Sequence, residues 1–197
     1  LMRRLTVEVV MKAPAFRNTL HERELDLRGN KIPRIENLGC TQDQFDIIDI
    51  TNNQVEVLED FPKLLRCGTI LAHNNLICRI GSNFPDTLPN LHTLMLAHNS
   101  ITSFDDIKPL QQCHNLLRLS LMWNPISALP NYRLIAIKLF PSLRYLDFQR
   151  ISKSERDEAD KIVNPIEGIT DSLLDECLKK GYCNNLPISM HLAISVL

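Results

Sequence analysis

Leu25-Asp26-Leu27-Arg28-Gly29-Asn30-Lys31-Ile32 is an eight-residue frame, Leu-x-Leu-x-x-Asn-x-Ile, that returns four more times along the chain. Ile48-x-Ile50-x-x-Asn53-x-Val55, Ile70-x-Ala72-x-x-Asn75-x-Ile77, Leu94-x-Leu96-x-x-Asn99-x-Ile101 and Leu119-x-Leu121-x-x-Asn124-x-Ile126 keep the same order of apolar and asparagine positions. The asparagines stand 23, 22, 24 and 25 residues apart. Leucine is common, so one frame would mean little. Five in register set the architecture.

Each frame reads as a short strand running into a turn, with alternate apolar residues pointing inward. The asparagine amide is expected to satisfy backbone groups in the turn, where losing it would cost about 1–3 kcal/mol per site. A repeat this short cannot bury its own apolar face, so successive copies stack. The fold class is therefore an α/β solenoid, a leucine-rich repeat with a curved parallel sheet on its concave face and a cap at each end. The expected layout is an N-terminal cap over residues 1–22, five repeats over 23–127, a C-terminal cap and helix over 128–163, and a divergent, partly disordered tail over 164–197.

Ahead of the first frame lie Leu5, Val7, Val9, Val10, Phe16 and Leu20. Pro14 breaks any long helix, so a short helix or an extended segment is expected to cover the open edge of the first repeat. Past Asn124-Pro125 come Tyr132-Arg133, Ile137, Phe140-Pro141, Leu143 and Leu146-Asp147-Phe148. Leu146 and Phe148 take the strand positions, and Ile151 stands where the asparagine would be, as suits a closing repeat. Ser152-Lys153-Ser154-Glu155 is a capping box that opens a helix to about Val163, ended by Asn164-Pro165. Asp171 to Lys180 has the pattern of a short amphipathic helix; the apolar end of the tail is too short to span a bilayer.

The 197 residues suit one domain, and a net charge of −1 supplies no global field to draw in nucleic acid. Cysteines 40, 67, 78, 113, 177 and 183 form no C-x-x-C pair, which reads as small apolar packing in a reducing compartment. The opening Leu1-Met2-Arg3-Arg4-Leu5 lacks the apolar run of a signal peptide. A soluble, intracellular protein is expected, with no membrane contact.

The residues between the inward positions face the concave side of the sheet. The first such row is Asp26, Asp49, Leu71, Met95, Ser120 and Asp147; the second is Arg28, Thr51, His73, Ala97, Met122 and Gln149. Leu71, Met95 and Met122 make the centre apolar while the ends stay charged or polar, the anatomy of a protein-binding surface. Six strands at about 4.8 Å give a trough roughly 25–29 Å long, the length of a ~16–19-residue helix. The alternative is that these residues are incidental or covered by the chain's own tail. Trp123, beside Asn124, either packs on Pro125 or anchors a partner at the trough edge.

Catalytic chemistry finds no footing: G-x-S-x-G, H-E-x-x-H and Gly-rich phosphate loops are all missing from the sequence. The six histidines lack metal-ligand spacing, and His73 with His98 has no clear third ligand. No cofactor, metal or small-molecule substrate is expected. Residues 1–38 hold eight basic side chains against five acidic, a modest excess that could supply phosphate contacts beside a dedicated RNA binder. Stacking aromatics and a basic platform are not grouped in the sequence, so loop-specific RNA recognition by the lone chain is not expected.

From Arg23-Glu24-Leu25-Asp26-Leu27-Arg28-Gly29-Asn30-Lys31-Ile32-Pro33 through Ile35-Glu36-Asn37-Leu38-Gly39 the sequence is more than a generic repeat. This run closely resembles the A-prime family of the U2 small nuclear ribonucleoprotein. So do Asp43-Gln44-Phe45-Asp46-x-Ile48-Asp49, Asn75-x-Ile77-Cys78-Arg79-Ile80-Gly81 and the closing Tyr132-Arg133-Leu134 and Leu146-Asp147-Phe148-Gln149. The resemblance spans roughly residues 5–163. It implies a nuclear, non-enzymatic splicing subunit whose concave sheet grips a helix of an RNA-recognition-motif partner, the B-double-prime protein. The pair would bind a stem-loop of U2 small nuclear RNA, mainly through the partner. Asp26, Arg28, Asp49, Leu71, Asp147 and Gln149 match the family's gripping face; His73, Met95, Ala97 and Met122 match more loosely, and Trp123 departs. Phosphate contacts to the RNA stem are expected from Arg23, Arg28, Lys31 and Arg34. The tail does not resemble the family's Lys-rich ending. Leucine-rich regulators of a protein phosphatase and acidic nuclear phosphoproteins share similar repeats and caps, and form the alternative reading.

Overall fold

The structure, a computed structural model, describes residues 4–162. The tail over 164–197, the helix expected from Asp171 to Lys180 and the expected close at Asn164-Pro165 lie outside the described residues. The chain opens with α1 (Val7–Lys12), capped where the Thr6 hydroxyl accepts the Val9 N–H at 3.3 Å. It then forms β1 (Ala15–Arg17), which runs antiparallel to β2 (Arg23–Asp26). Both forms considered for the N-terminal cap are present, a short helix and an extended edge strand. Parallel strands follow in chain order: β3 (Ile47–Asp49), then β5 (Thr69–Leu71) after the two-residue β4 (Val57–Leu58). β6 (Arg79–Ile80) pairs with β4 on the far side, and the short α2 (Phe84–Thr87) leads to β7 (Thr93–Met95). β8 (Arg118–Ser120), α3 (Tyr132–Leu139), β9 (Tyr145–Leu146), β10 (Gln149–Arg150) and α4 (Lys153–Asp160) complete the described chain.

The main sheet has the order β1-β2-β3-β5-β7-β8-β9-β10. Its strands from β2 to β9 are parallel and its two outer pairs antiparallel. Every apolar position of the five frames is buried in one continuous core. Cys67 and Cys113 belong to that core, and burial pushes their thiols up to about 12 and about 11. With Cys40 and Cys78, all four described cysteines are free thiols.

The strands stay short because the chain turns at a fixed place. The residue before each frame asparagine, Gly29, Asn52, Asn74, His98 and Trp123, has φ between 52° and 68°. The asparagines then stitch one repeat to the next. Asn53 Nδ2 donates to the Leu27 and Ile50 carbonyls at 2.9 and 2.7 Å, while its Oδ1 accepts the Ile32 N–H at 3.0 Å. Asn75, Asn99 and Asn124 repeat this pattern, each reaching the repeat before it. Asn30 has no earlier repeat and bonds only within its own turn, to the Leu27 and Arg28 carbonyls.

The closing repeat differs from expectation. Asp147 and Phe148 have φ of 53° and 62° and form a two-residue hairpin turn between β9 and β10. Phe148 is therefore not an inward strand residue but 66% exposed. Asp147 Oδ1 accepts the Leu121 N–H at 2.7 Å, where earlier repeats offer a backbone carbonyl. Its Oδ2 accepts the Tyr132 hydroxyl at 2.9 Å, which ties the sheet end to α3. The capping box is in place, with Ser152 Oγ accepting the Glu155 N–H and Glu155 Oε2 accepting the Ser152 N–H.

Candidate partner-binding face

Strand register places the concave residues beside one another. Asp26, Asp49, Leu71, Met95 and Ser120 are successive cross-strand partners. Beyond the strand ends the backbone ladder continues, with Gly29, Asn52, Asn74 and His98 donating to the carbonyls of Thr51, His73, Ala97 and Met122. That keeps Arg28, Thr51, His73, Ala97 and Met122 in a second row. Leu71, Met95 and Met122 are half-buried, an apolar strip in the middle of the face.

Burial divides the remaining residues. Asp49 is 5% exposed and accepts the Thr51 N–H at 2.8 Å. Arg28 binds Asp26 at 2.6 Å and lies 3.5 Å from Asp49. The Arg28 guanidinium holds the Asp26 carboxyl below its usual range, and burial raises that of Glu24. Three carboxylates around one guanidinium leave this end of the trough acidic. His73 is half-buried, and burial lowers its pKa. Its cross-strand neighbour is Ala97, and His98 stacks on Trp123. Among the described residues, no group of three or more His, Cys, Asp or Glu side chains is arranged to hold a metal.

The other expected site residues differ in burial and in what already holds them. Ser120 continues the row of Leu71 and Met95 but is fully buried, with an unpartnered hydroxyl among the described residues. Ala97, in the centre of the second row, is 7% exposed. Asp147 is taken up by Leu121 and Tyr132. Gln149 lies past the hairpin, paired with Leu146, and so does not continue the row of Met122. Trp123 does not pack down on Pro125: it is 64% exposed and stacks on His98 with ring centroids 5.4 Å apart. Arg28 is held by Asp26 and Asp49, and Arg23 donates to Gln44 at 3.0 Å and lies over the Phe45 ring. Of the four expected phosphate-binding cations, Lys31 and Arg34 are exposed and outside the ion pairs of the described residues.

One row was missed by sequence reasoning. The residue just before each frame also faces the trough, giving Glu24, Ile47, Thr69, Thr93, Arg118 and Tyr145 as cross-strand partners. Strand alternation, carried one residue further upstream, contains the signal. Arg150 joins this row by pairing with Tyr145. That last partner was hidden, since it depends on the hairpin.

Comparison with known proteins agrees with the repeat fold. A family model described as a leucine-rich repeat matches residues 2–171. U2 small nuclear ribonucleoprotein A′ of Arabidopsis thaliana is 50% identical over 158 residues, covering 80% of this chain and 64% of its own length. The Mycosarcoma maydis protein of the same name is 42% identical, covering 90% of this chain and 72% of its own. The chain thus spans somewhat less than two thirds of the first relative's length. A crystal structure of the Drosophila melanogaster SNF/U2A′ complex contains a chain that superposes with a TM-score of 0.80 at 40% identity, covering 91% of this chain and 99% of that one.

Proposed function

Because the chain belongs to the leucine-rich repeat family of U2 small nuclear ribonucleoprotein A′ proteins, we propose that it is a non-enzymatic scaffold subunit of that particle in the nucleus, acting in pre-mRNA splicing. Its concave face grips a helix of an RNA-recognition-motif protein, the B-double-prime subunit, and the two together hold a stem-loop of U2 small nuclear RNA. The observation that carries this reading is the strip of Leu71, Met95 and Met122, half-buried before any partner arrives and flanked by the acidic end at Glu24, Asp26 and Asp49. An apolar centre with a polar rim suits a protein surface. The acidic end suits a lysine or arginine of the docked helix, and a relative solved together with SNF supports a protein partner. Thr51 and His73 border the strip, and Trp123 stands at its rim. Lys31 and Arg34 add backbone contacts to the RNA, while the partner reads its bases.

A pulldown from nuclear extract tests the assignment. Recovery of U2 RNA with an RNA-recognition-motif protein is the expected outcome. Recovery of a phosphatase catalytic subunit without U2 RNA would overturn it.

A further inference from the structure

The end of the sheet opposite the acidic carboxylates carries a different chemistry. Arg118, Tyr145 and Arg150 are direct cross-strand partners on β8, β9 and β10, so all three side chains lie on the trough side. The Arg118 guanidinium sits over the Tyr145 ring, 5.6 Å from its centroid. All three residues are exposed, Tyr145 by 38%, and so is Arg144 beside them. None of these arginines forms an ion pair among the described residues, in contrast to Arg28 at the other end. The acidic helix α4 follows closely in sequence, yet it packs on α3 and leaves the row open. β10 is the last strand of its sheet, so no further strand of the described chain pairs with it.

We propose that the Arg118–Tyr145–Arg150 row is a contact site for single-stranded RNA, in which an unpaired base stacks on the Tyr145 ring while the arginines take the flanking phosphates. Aromatic faces interleaved with cations are what single strands require, since every base has a π-face and every linkage a charge. An acidic peptide would use the arginines but leave the tyrosine idle. The site goes beyond the partner-binding reading, resting on it only in placing the chain beside an RNA. It corrects the sequence-based expectation that aromatics and a basic platform are not grouped: three strands and one hairpin bring them together.

The test uses the full chain and a labelled single-stranded RNA of about 12 nucleotides, with anisotropy read over a salt series. Tyr145→Ala is expected to weaken binding roughly tenfold, and Tyr145→Phe to restore it. Arg118→Gln with Arg150→Gln is expected to flatten the log-affinity against log-salt slope by about 1.4. Circular dichroism and urea midpoints confirm that each variant folds. Unchanged affinity in Tyr145→Ala, or a poly-glutamate peptide that binds with the same dependence on Tyr145, would overturn the proposal. Leu71→Arg with Met95→Glu leaves net charge unaltered and is expected to spare RNA binding. Failure of the trough and failure of this row are therefore read separately.

Discussion

Asn99 and Asn30 occupy the same frame position but different environments. Asn99 is buried, donates to the Ala72 and Leu96 carbonyls at 2.9 Å each, and accepts the Ile77 N–H at 3.0 Å. Asn99→Ala leaves the buried Ile77 N–H unpaired and takes a donor from the Ala72 and Leu96 carbonyls of two repeats, and is expected to cost about 3 kcal/mol. Asn30→Ala leaves the Arg28 carbonyl of a half-exposed turn to water, while the Leu27 carbonyl keeps the Asn53 amide, and is expected to cost about 1 kcal/mol or less. Urea midpoints at constant slope measure both, and equal losses would contradict a ladder that works between repeats. Trp123 presents the opposite case. At φ 60° a bulky side chain is strained by roughly 1–2 kcal/mol, comparable to the ~0.5–1.5 kcal/mol of its stack on His98. Trp123→Asn, which suits that backbone, is expected to leave the urea midpoint unchanged or slightly raised. A clear fall would mean that the tryptophan serves the fold rather than the surface.

Among the elements, the helix that ends the described chain depends on one carboxylate. Arg133 binds Glu155 at 2.6 Å, and Ser152 adds a backbone and a hydroxyl donor. Arg133, followed by Ser152, depresses the Glu155 carboxyl to about 2, against about 4.3 in an unfolded chain. A depressed acid stabilises the fold above its unfolded pKa, and that contribution fades as pH falls from about 4 toward 2. Wild type is therefore expected to lose more stability than Glu155→Gln between pH 5 and pH 2, as measured by urea midpoints. Parallel pH profiles would remove Glu155 from the cap. This box was legible in the sequence because its partners are three residues apart, just as the frames are legible because alternation and the asparagine are local. The hairpin at Asp147-Phe148 was not. Leu146-x-Phe148 imitates a sixth frame, and only the Asp147 contacts with Leu121 and Tyr132, 26 and 15 residues away, show that the chain turns back. For the same reason Gln149 was assigned to the face and Tyr145 overlooked.

In the whole molecule, the seven strands from β2 to β10 of the main sheet place an apolar strip between an acidic end and a basic one. Arg28 binds Asp26 and lies close to Asp49, while Arg118, Arg144 and Arg150 remain outside ion pairs among the described residues. A docked helix thus meets carboxylates at one end of the strip, which favours the direction that brings its own basic end there and leaves the guanidinium groups at the other end to the RNA. The repeats are stitched to their neighbours by the asparagine ladder, so the face is presented as one preformed surface. The most direct test of that surface is a calorimetric titration of the full chain with the RNA-recognition-motif partner, comparing wild type with Leu71→Arg/Met95→Glu. Both positions are half-buried on the trough side, so the variant is expected to retain its circular dichroism spectrum. It is also expected to lose binding by at least about a hundredfold, as fits two central anchors of roughly 2 kcal/mol each. Wild-type affinity in the folded variant would contradict the assignment of the concave face to the partner.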